Sequence, residues 1–340
     1  MPASPTPAPG TAVVGTGAGR PTFGLFPPVL YPINLRDWEI DAGPAEVSEI
    51  GRLADELGYA FIACGDHGAL ATSELALYGR ARFYDPIATL GYLAAATSAI
   101  KLVTLVYQAH LRSPLVAAKE LATIDHLSGG RLIAGFGVGS RKYEADAAGV
   151  DFSRRGAIVD DHVAAMIALW SNAVASYDGE YVQFRDLICE PRPVQLPRPR
   201  IWVGGNRGVG LRRALRLGDG WAPFGATADQ ITGVIADAAE TPEWRDRAAG
   251  FQVIVPLTPL GGRAPRGEPA PLFDEPSDEA AERAAERVAW WRTRGATDFI
   301  VDLPAPSRAG FDEALRWFAE QAAPLAGLVA ASPFVEGDKQ

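Results

Sequence analysis

A (β/α)8 barrel, the TIM-barrel form of the α/β class, is the fold this sequence predicts, and three observations carry the prediction. From Pro21 onward short apolar runs alternate with longer segments of helical periodicity, eight such pairs can be placed, and the first strand ends in Pro27-Pro28. An open doubly wound sheet, the alternative architecture, would have fewer strands and a phosphate-binding glycine turn after strand one. The length of 340 residues suits a single barrel, since such folds commonly run to about 250 residues or more.

The elements follow in order. TFGLF reads as strand one, and Val47, Ile50, Leu53, Ala54 and Leu57 then mark one face of a helix that ends at Gly58. YAFIACGD is strand two and stops at Asp66; after a long loop, a helix from about 86 to 98 leads into strand three, IKLVTLVY. A helix from 114 to 127 precedes strand four, RLIAGFGVG, and Val159, Val163, Met166, Ile167 and Trp170 form the buried stripe of the next helix. Residues 171–199 break the rhythm as an insertion after this fourth helix: YDGEYVQF alternates like a hairpin, and PRPVQLPRPR is too proline-rich for a helix. RIWVGG, a helix from 209 to 217, GWAPF and a helix from about 228 give two further units. FQVIVPLT, a Pro/Gly-rich loop over 261–276, a helix over 277–294, ATDFIVDL and a helix over 307–321 complete the eight. The barrel thus occupies 21–330, between a Pro/Gly/Ala-rich N-terminal tail over 1–20, read as disordered, and a short C-terminal tail over 331–340.

Composition removes several function classes. Apolar residues make up 48% and charged residues 21%, ordinary globular values, and no run approaches the roughly 20 apolar residues of a membrane span. The formal charge of −9 argues against a general nucleic-acid binder, which needs a basic face. Cys64 and Cys189 lie far apart with no His or Cys at ligand spacing, so neither a disulfide framework nor a metal site is expected. The first residues lack a signal-peptide pattern, and a cytoplasmic enzyme is the expectation.

In such a barrel the chemistry sits where strands run out into the following loops. Asp66 and His67 close strand two, Tyr107, Gln108 and His110 follow strand three, Ser140, Arg141, Lys142, Tyr143 and Glu144 follow strand four, and Asn206 and Arg207 follow strand five. Singly each has a plainer reading: Asp66 as a loop cap, His67 as a surface residue, Arg207 as a solvated charge. The barrel places all four groups on one rim, which favours the set over its members. GFGVG over 135–139 does not open a helix and is no dinucleotide turn. GGNRG over 204–208 lies between a strand and a helix, where its N–H groups either meet a phosphate or form only a tight turn. SGGR over 128–131 reads as a structural turn on the opposite face.

YDPIATLGYLAAAT, RSPLVAAKELATIDHLSGGRLIAGFGVGS, RPRIWVGGN and RRALRLGDGWAP together resemble the luciferase-like monooxygenase superfamily, and within it the branch that uses coenzyme F420, an 8-hydroxy-5-deazaflavin. The resemblance runs from about Thr22 to Phe224. It implies a flavin-type ring in the mouth over strands two to four, F420 with FMN as the alternative, and hydride transfer at C5. It implies that His67 moves the accompanying proton with Asp66 setting its tautomer, and that His110 is a second candidate, while His126 and His162 pack or cap within helices. Leu105-Val106 matches the place where relatives carry a non-prolyl cis peptide beneath the ring, with Tyr107, Gly139, Ser140, Arg141 and Tyr143 around it. Gly204, Gly205, Asn206 and Arg207 would meet the cofactor phosphate, and Arg141, Lys142 or Arg154 the polyglutamate tail of F420. Sugar-phosphate dehydrogenases of the family carry a catalytic Glu where this chain has Ser140, so reduction of an activated C=C or C=N bond fits better than alcohol oxidation. The loop over 68–84 reads either as a substrate wall carrying Tyr78, Phe83 and Tyr84 or as a mobile lid, its aromatic residues equally fitting plain packing, and with the insertion over 171–199 as a further wall it suggests a substrate larger than a simple sugar, a small molecule or a modified peptide. A reduced-FMN monooxygenase and a non-catalytic flavin-binding barrel are the other readings, and the resemblance allows a homodimer.

Overall fold

Eight parallel strands close on themselves in the order β1, β10, β9, β8, β7, β4, β3, β2. They are β1 (Thr22–Leu25), β2 (Phe61–Cys64), β3 (Lys101–Thr104), β4 (Leu132–Phe136), β7 (Arg200–Gly204), β8 (Gly220–Ala222), β9 (Gln252–Pro256) and β10 (Asp298–Val301). This is the architecture of a computed structural model that describes residues 21–31, 36–75, 82–247, 249–257, 275–303 and 305–329. The expected tails, nearly all of the Pro/Gly-rich loop over 261–276, and Tyr78 lie outside the described residues.

The helices begin where the sequence supplies caps. The helices α1 (Asp37–Asp41) and α2 (Pro44–Glu56) follow β1, and α2 starts with Pro44 and with Glu46 accepting from the Gly43 N–H at 2.6 Å. Asp85 accepts from Ala88 N–H at 2.9 Å to cap α3 (Pro86–Ala96), and α4 (Pro114–Leu127) again opens on proline. Next come α5 (Lys142–Ala147), α6 (Arg155–Ser171), α7 (Gly208–Leu217), α8 (Ala228–Ala239) and α9 (Pro242–Arg247). Ser277 and Ser307 cap α10 (Asp278–Arg292) and α11 (Arg308–Trp317), accepting from Ala280 N–H at 3.2 Å and Gly310 N–H at 3.1 Å. Two features exceed the sequence pattern. The short α9 buries Trp244, and α11 continues as a π-helical turn over Phe318–Ala322.

Two apolar layers result. Inside the barrel Phe26, Phe61, Ala63, Val103, Leu105, Ile133, Trp202, Ala222, Ile254 and Ile300 fill the lumen, with Phe61 meeting Trp202 edge to face at 5.1 Å. The larger layer packs strands against helices. The turn over 128–131 is structural, as expected: buried Arg131 donates to the carbonyls of Ala94 at 2.8 Å and Ile100 at 3.1 Å. The insertion packs against the helices of the barrel. Its hairpin, β5 (Ala175–Asp178) and β6 (Gln183–Leu187), packs along α6, where Asp161 accepts from Tyr177 Oη and from the Tyr181 and Val182 N–H groups. Its proline-rich part is tied down by Asp125, which accepts from Val194 N–H at 2.8 Å and from the Gln195 side chain at 2.6 Å. No helix among the described residues is long and apolar enough to cross a membrane.

Candidate active site

β2 delivers Asp66 and His67 to the mouth, and the two part company at once. Asp66 is buried and accepts from Arg112 through both oxygens, at 2.6 and 2.8 Å, and from the Gln108 N–H at 2.8 Å. Its partners are therefore the residues that follow β3, and the expectation that Asp66 sets the tautomer of His67 is corrected: its carboxylate is already spent on a bidentate guanidinium. Arg112, fixed in this way, lies 4.6 Å from the Tyr107 ring centre.

The carboxylate behind His67 is Glu144, from α5. Its Oε2 lies 3.4 Å from His67 Nδ1, its Oε1 accepts from Gly68 N–H at 3.1 Å, and Gln108 Nε2 approaches Oε2 at 3.4 Å. Burial pushes the Glu144 carboxyl up, but the contacts from His67, Gln108 and Gly68 outweigh it and hold the group below its ordinary value, so it is ionised near neutral pH. Gln108 is held in turn by donating to Asp66 O at 2.8 Å. It fits only because residue 139 is glycine: at φ 61° a side chain there is strained, and a Cβ would fall 2.2 Å from Gln108 Oε1. Asp66 therefore acts on His67 indirectly, through Gln108 and Glu144. Arg141 lies over the imidazole, its Nη1 2.7 Å from Nε2 and 2.8 Å from Nδ1, and is anchored to Glu74 at 2.7 Å, which also accepts from Tyr143 Oη at 3.1 Å. Phe83 meets the imidazole edge to face at 4.8 Å.

Other expected site residues separate into those at the rim and those beneath it. His110 is buried and its Nδ1 has no partner; burial, with Arg155 adding to it, pushes its pKa down to about 4. It is closed off from the mouth rather than poised there. Tyr107 also differs from expectation: its fully buried side chain donates to Glu120 at 3.0 Å, leaving the backbone, whose N–H donates to Gly135 O at 2.7 Å, as its link to the rim. Ser140, Lys142 and Arg154 are exposed; Lys142 pairs with Asp146 and Arg154 with Glu180. His162, within α6, reaches across to the turn after β3, its Nδ1 3.0 Å from Ala109 O.

Two features test whether a flavin-type cofactor fits. The Leu105-Val106 peptide is cis, and Val106 leans over the ends of β4 and β7, where a Cβ at Gly137 or Gly204 would come within 2.2 or 2.7 Å of it. The partly exposed Val106 and the Leu105 beside it offer an apolar shelf at the mouth. Between β7 and α7, Gly205 to Arg207 form a turn that Trp221 Nε1 ties by donating to Gly205 O at 2.6 Å. Arg207 is the N-cap of α7 and supplies no side-chain cap, so the first N–H groups of that helix and its dipole are directed to whatever lies at the rim. An apolar shelf beside an anion-accepting helix end matches a flat ring carrying a phosphate chain, and the residues present fit the group.

A closed eight-stranded barrel with such a shelf, a helix end for phosphate and a histidine backed by a carboxylate defines a flavin-type oxidoreductase scaffold. The chain belongs to the luciferase-like monooxygenase family, whose profile matches residues 29–326. A functionally uncharacterised protein of Mycobacterium tuberculosis is 33% identical over 214 residues, spanning 61% of this chain and 76% of its own length. An FMNH2-dependent dimethylsulfone monooxygenase of Pseudomonas putida is 26% identical over 206 residues, covering 59% of this chain and 53% of that protein. Among solved structures, the coenzyme F420-dependent tetrahydromethanopterin reductase of Methanopyrus kandleri superposes with a TM-score of 0.66 at 14% identity, covering 90% of this chain and 99% of that one. That likeness is one of fold.

Proposed function

We propose that this chain is an F420-dependent oxidoreductase that exchanges hydride between the deazaflavin and an activated C=C or C=N bond of a small molecule or modified peptide. The observation that carries the reading is His67, one-fifth exposed at the mouth with ionised Glu144 against its Nδ1. Hydride exchange with an unsaturated carbon or nitrogen needs a matching proton at the neighbouring atom, and an imidazole is suited to move it near neutral pH. Bound F420 supplies the hydride donor or acceptor at C5. Leu105 and Val106 would support the ring, and Gly204, Gly205, Asn206 and Arg207 would hold the phosphate. His67 gives or takes the proton at Nε2, while Glu144 keeps its other nitrogen occupied. Ser140 leaves no carboxylate at the position where sugar-phosphate dehydrogenases of the family carry one, which supports reduction over alcohol oxidation.

The similarity to an FMNH2-dependent monooxygenase favours a second reading, oxygen activation by reduced FMN on the same shelf. Anaerobic incubation with F420 reduced and deuterated at C5, together with a panel of unsaturated acceptors, separates the two. The first reading expects deuterium in the product. Oxygen consumption with reduced FMN, and no transfer from F420, would replace it with the second.

A further inference from the structure

A row of three aromatic rings crosses the mouth of the barrel. After β1 the Pro27-Pro28 pair turns the chain, with the Leu30 and Tyr31 N–H groups donating to Pro27 O at 2.9 and 3.0 Å. That turn stacks the Tyr31 ring on buried Phe26 at 4.6 Å. Phe26 stands beside the shelf: its Cζ and Leu105 O lie 3.6 and 3.9 Å from where a Cβ at Gly65 would be. Tyr31 and Val106 both pack on the lumen cluster from above. Tyr31 also meets Phe224, two residues beyond the end of β8, edge to face at 5.4 Å.

The strands that carry these rings are not neighbours. Around the closed sheet β10 and β9 separate β1 from β8 on one side, and β2, β3, β4 and β7 on the other. A contact between the loops after β1 and β8 therefore crosses the mouth and divides it. His67 follows β2, Leu105 and Val106 follow β3, and the Gly205–Arg207 turn follows β7, so the groups given above to the proton, the ring and the phosphate all lie on one side of the row. Phe224 keeps 37% of its surface exposed, and the three rings carry no charge. An uncharged aromatic wall facing a flat shelf bounds a slot for a flat apolar group, and aromatic side chains favour another ring over plain apolar contact.

We propose that Tyr31 and Phe224 form an aryl subsite, and that the acceptor carries an aromatic ring conjugated to the C=C or C=N bond that is reduced. The subsite is read from the row of rings; that its occupant is reduced, gaining one hydride and one proton and leaving the cofactor oxidised, rests on the proposed function.

Benzylideneacetone and the straight-chain conjugated decenone have equal carbon number and one enone each, and differ in the aryl group. Ligand-observed NMR titrations of the full-length protein measure their Kd with saturating oxidised F420, and in parallel with oxidised FMN, where no turnover occurs. The aryl enone is expected to bind about tenfold tighter than the alkyl one. Phe224→Leu and Tyr31→Leu each weaken the aryl enone by about threefold or more, the scale of one aromatic pair, while Tyr31→Phe retains its affinity. The alkyl enone and the cofactor change by less than about twofold, which also reports an intact barrel. Equal affinity for the two enones, no binding of benzylideneacetone, or an aryl preference intact in both leucine variants overturns the proposal; so does cofactor binding lost in step with the aryl enone, which would give the row to the cofactor. An aryl preference that follows Tyr31 and Phe224, with no turnover by reduced F420, upholds the subsite and removes the proposed reaction.

Discussion

Replacing Asp66 by Asn separates an anchoring carboxylate from one that acts directly on His67. Asp66 is almost fully shielded, with 2% of its side chain exposed, and Arg112, with 25% exposed, gives it two short hydrogen bonds. Removing one partner of a fully buried ion pair costs roughly 3–5 kcal/mol. Arg112 reaches solvent and has Asp85 at 3.6 Å as a weaker partner, and an amide oxygen can still accept from Gln108 N–H, so a loss of about 2–3 kcal/mol is expected. For a chain of this size that is a fall in Tm of about 4 °C. Urea unfolding read by tryptophan fluorescence measures it. A double-mutant cycle with Arg112→Met then returns a coupling of about 2 kcal/mol, the scale found for residues in direct contact. The imidazole of His67 keeps its protonation pattern, since Gln108 and Glu144 remain. A stability change under about 0.5 kcal/mol combined with an altered His67 tautomer would refute the anchoring role and return Asp66 to His67.

Three further outcomes follow from the same geometry. The His110 pKa, depressed from 6.5 to about 4, means that the unfolded chain takes up a proton first as pH falls. Stability is therefore complete above about pH 6.5 and is lost progressively toward pH 4, by up to about 3 kcal/mol, and His110→Gln flattens that part of a denaturation series. Gly139→Ala meets both a left-handed backbone and the Gln108 side chain, so a loss of at least about 1–2 kcal/mol is expected in urea unfolding, and parental stability would show that Gln108 has room to move. Arg207→Ala weakens FMN or F420 binding about tenfold, reduces its salt dependence and leaves riboflavin, which has no phosphate, unaffected; equal losses for all three would place the phosphate elsewhere.

Periodicity made the barrel legible, because burial on one face writes itself into spacing: the stripe of Val47, Ile50, Leu53 and Ala54 and the apolar runs of the eight strands need no tertiary information. The rim was legible for the same reason, since strand ends fix which loops meet. The partners across that rim were not. Asp66 precedes His67 in the chain and invites a pairing, yet the matching guanidinium is Arg112, 46 positions away. Glu144 sits in a short polar segment that reads as a surface helix, and only the docking of α5 against the turn after β3 buries it. Tyr107 has the polarity of a rim residue, but beyond the end of β3 its side chain turns inward to Glu120. Its N–H donates to Gly135 O; the cis Leu105-Val106 peptide beside it was pointed to only by the family resemblance, since nothing in residue type marks it.

The central claim is that the mouth of this barrel holds F420, and a direct binding titration tests it best. Trp221 is tied to the Gly205 turn and Trp202 lies in the lumen below, so tryptophan quenching reports occupancy of the shelf and the phosphate site. Parallel titrations with F420 and FMN are predicted to give micromolar or tighter binding of F420 and weaker binding of FMN. Tight FMN binding with no response to F420 would contradict the account.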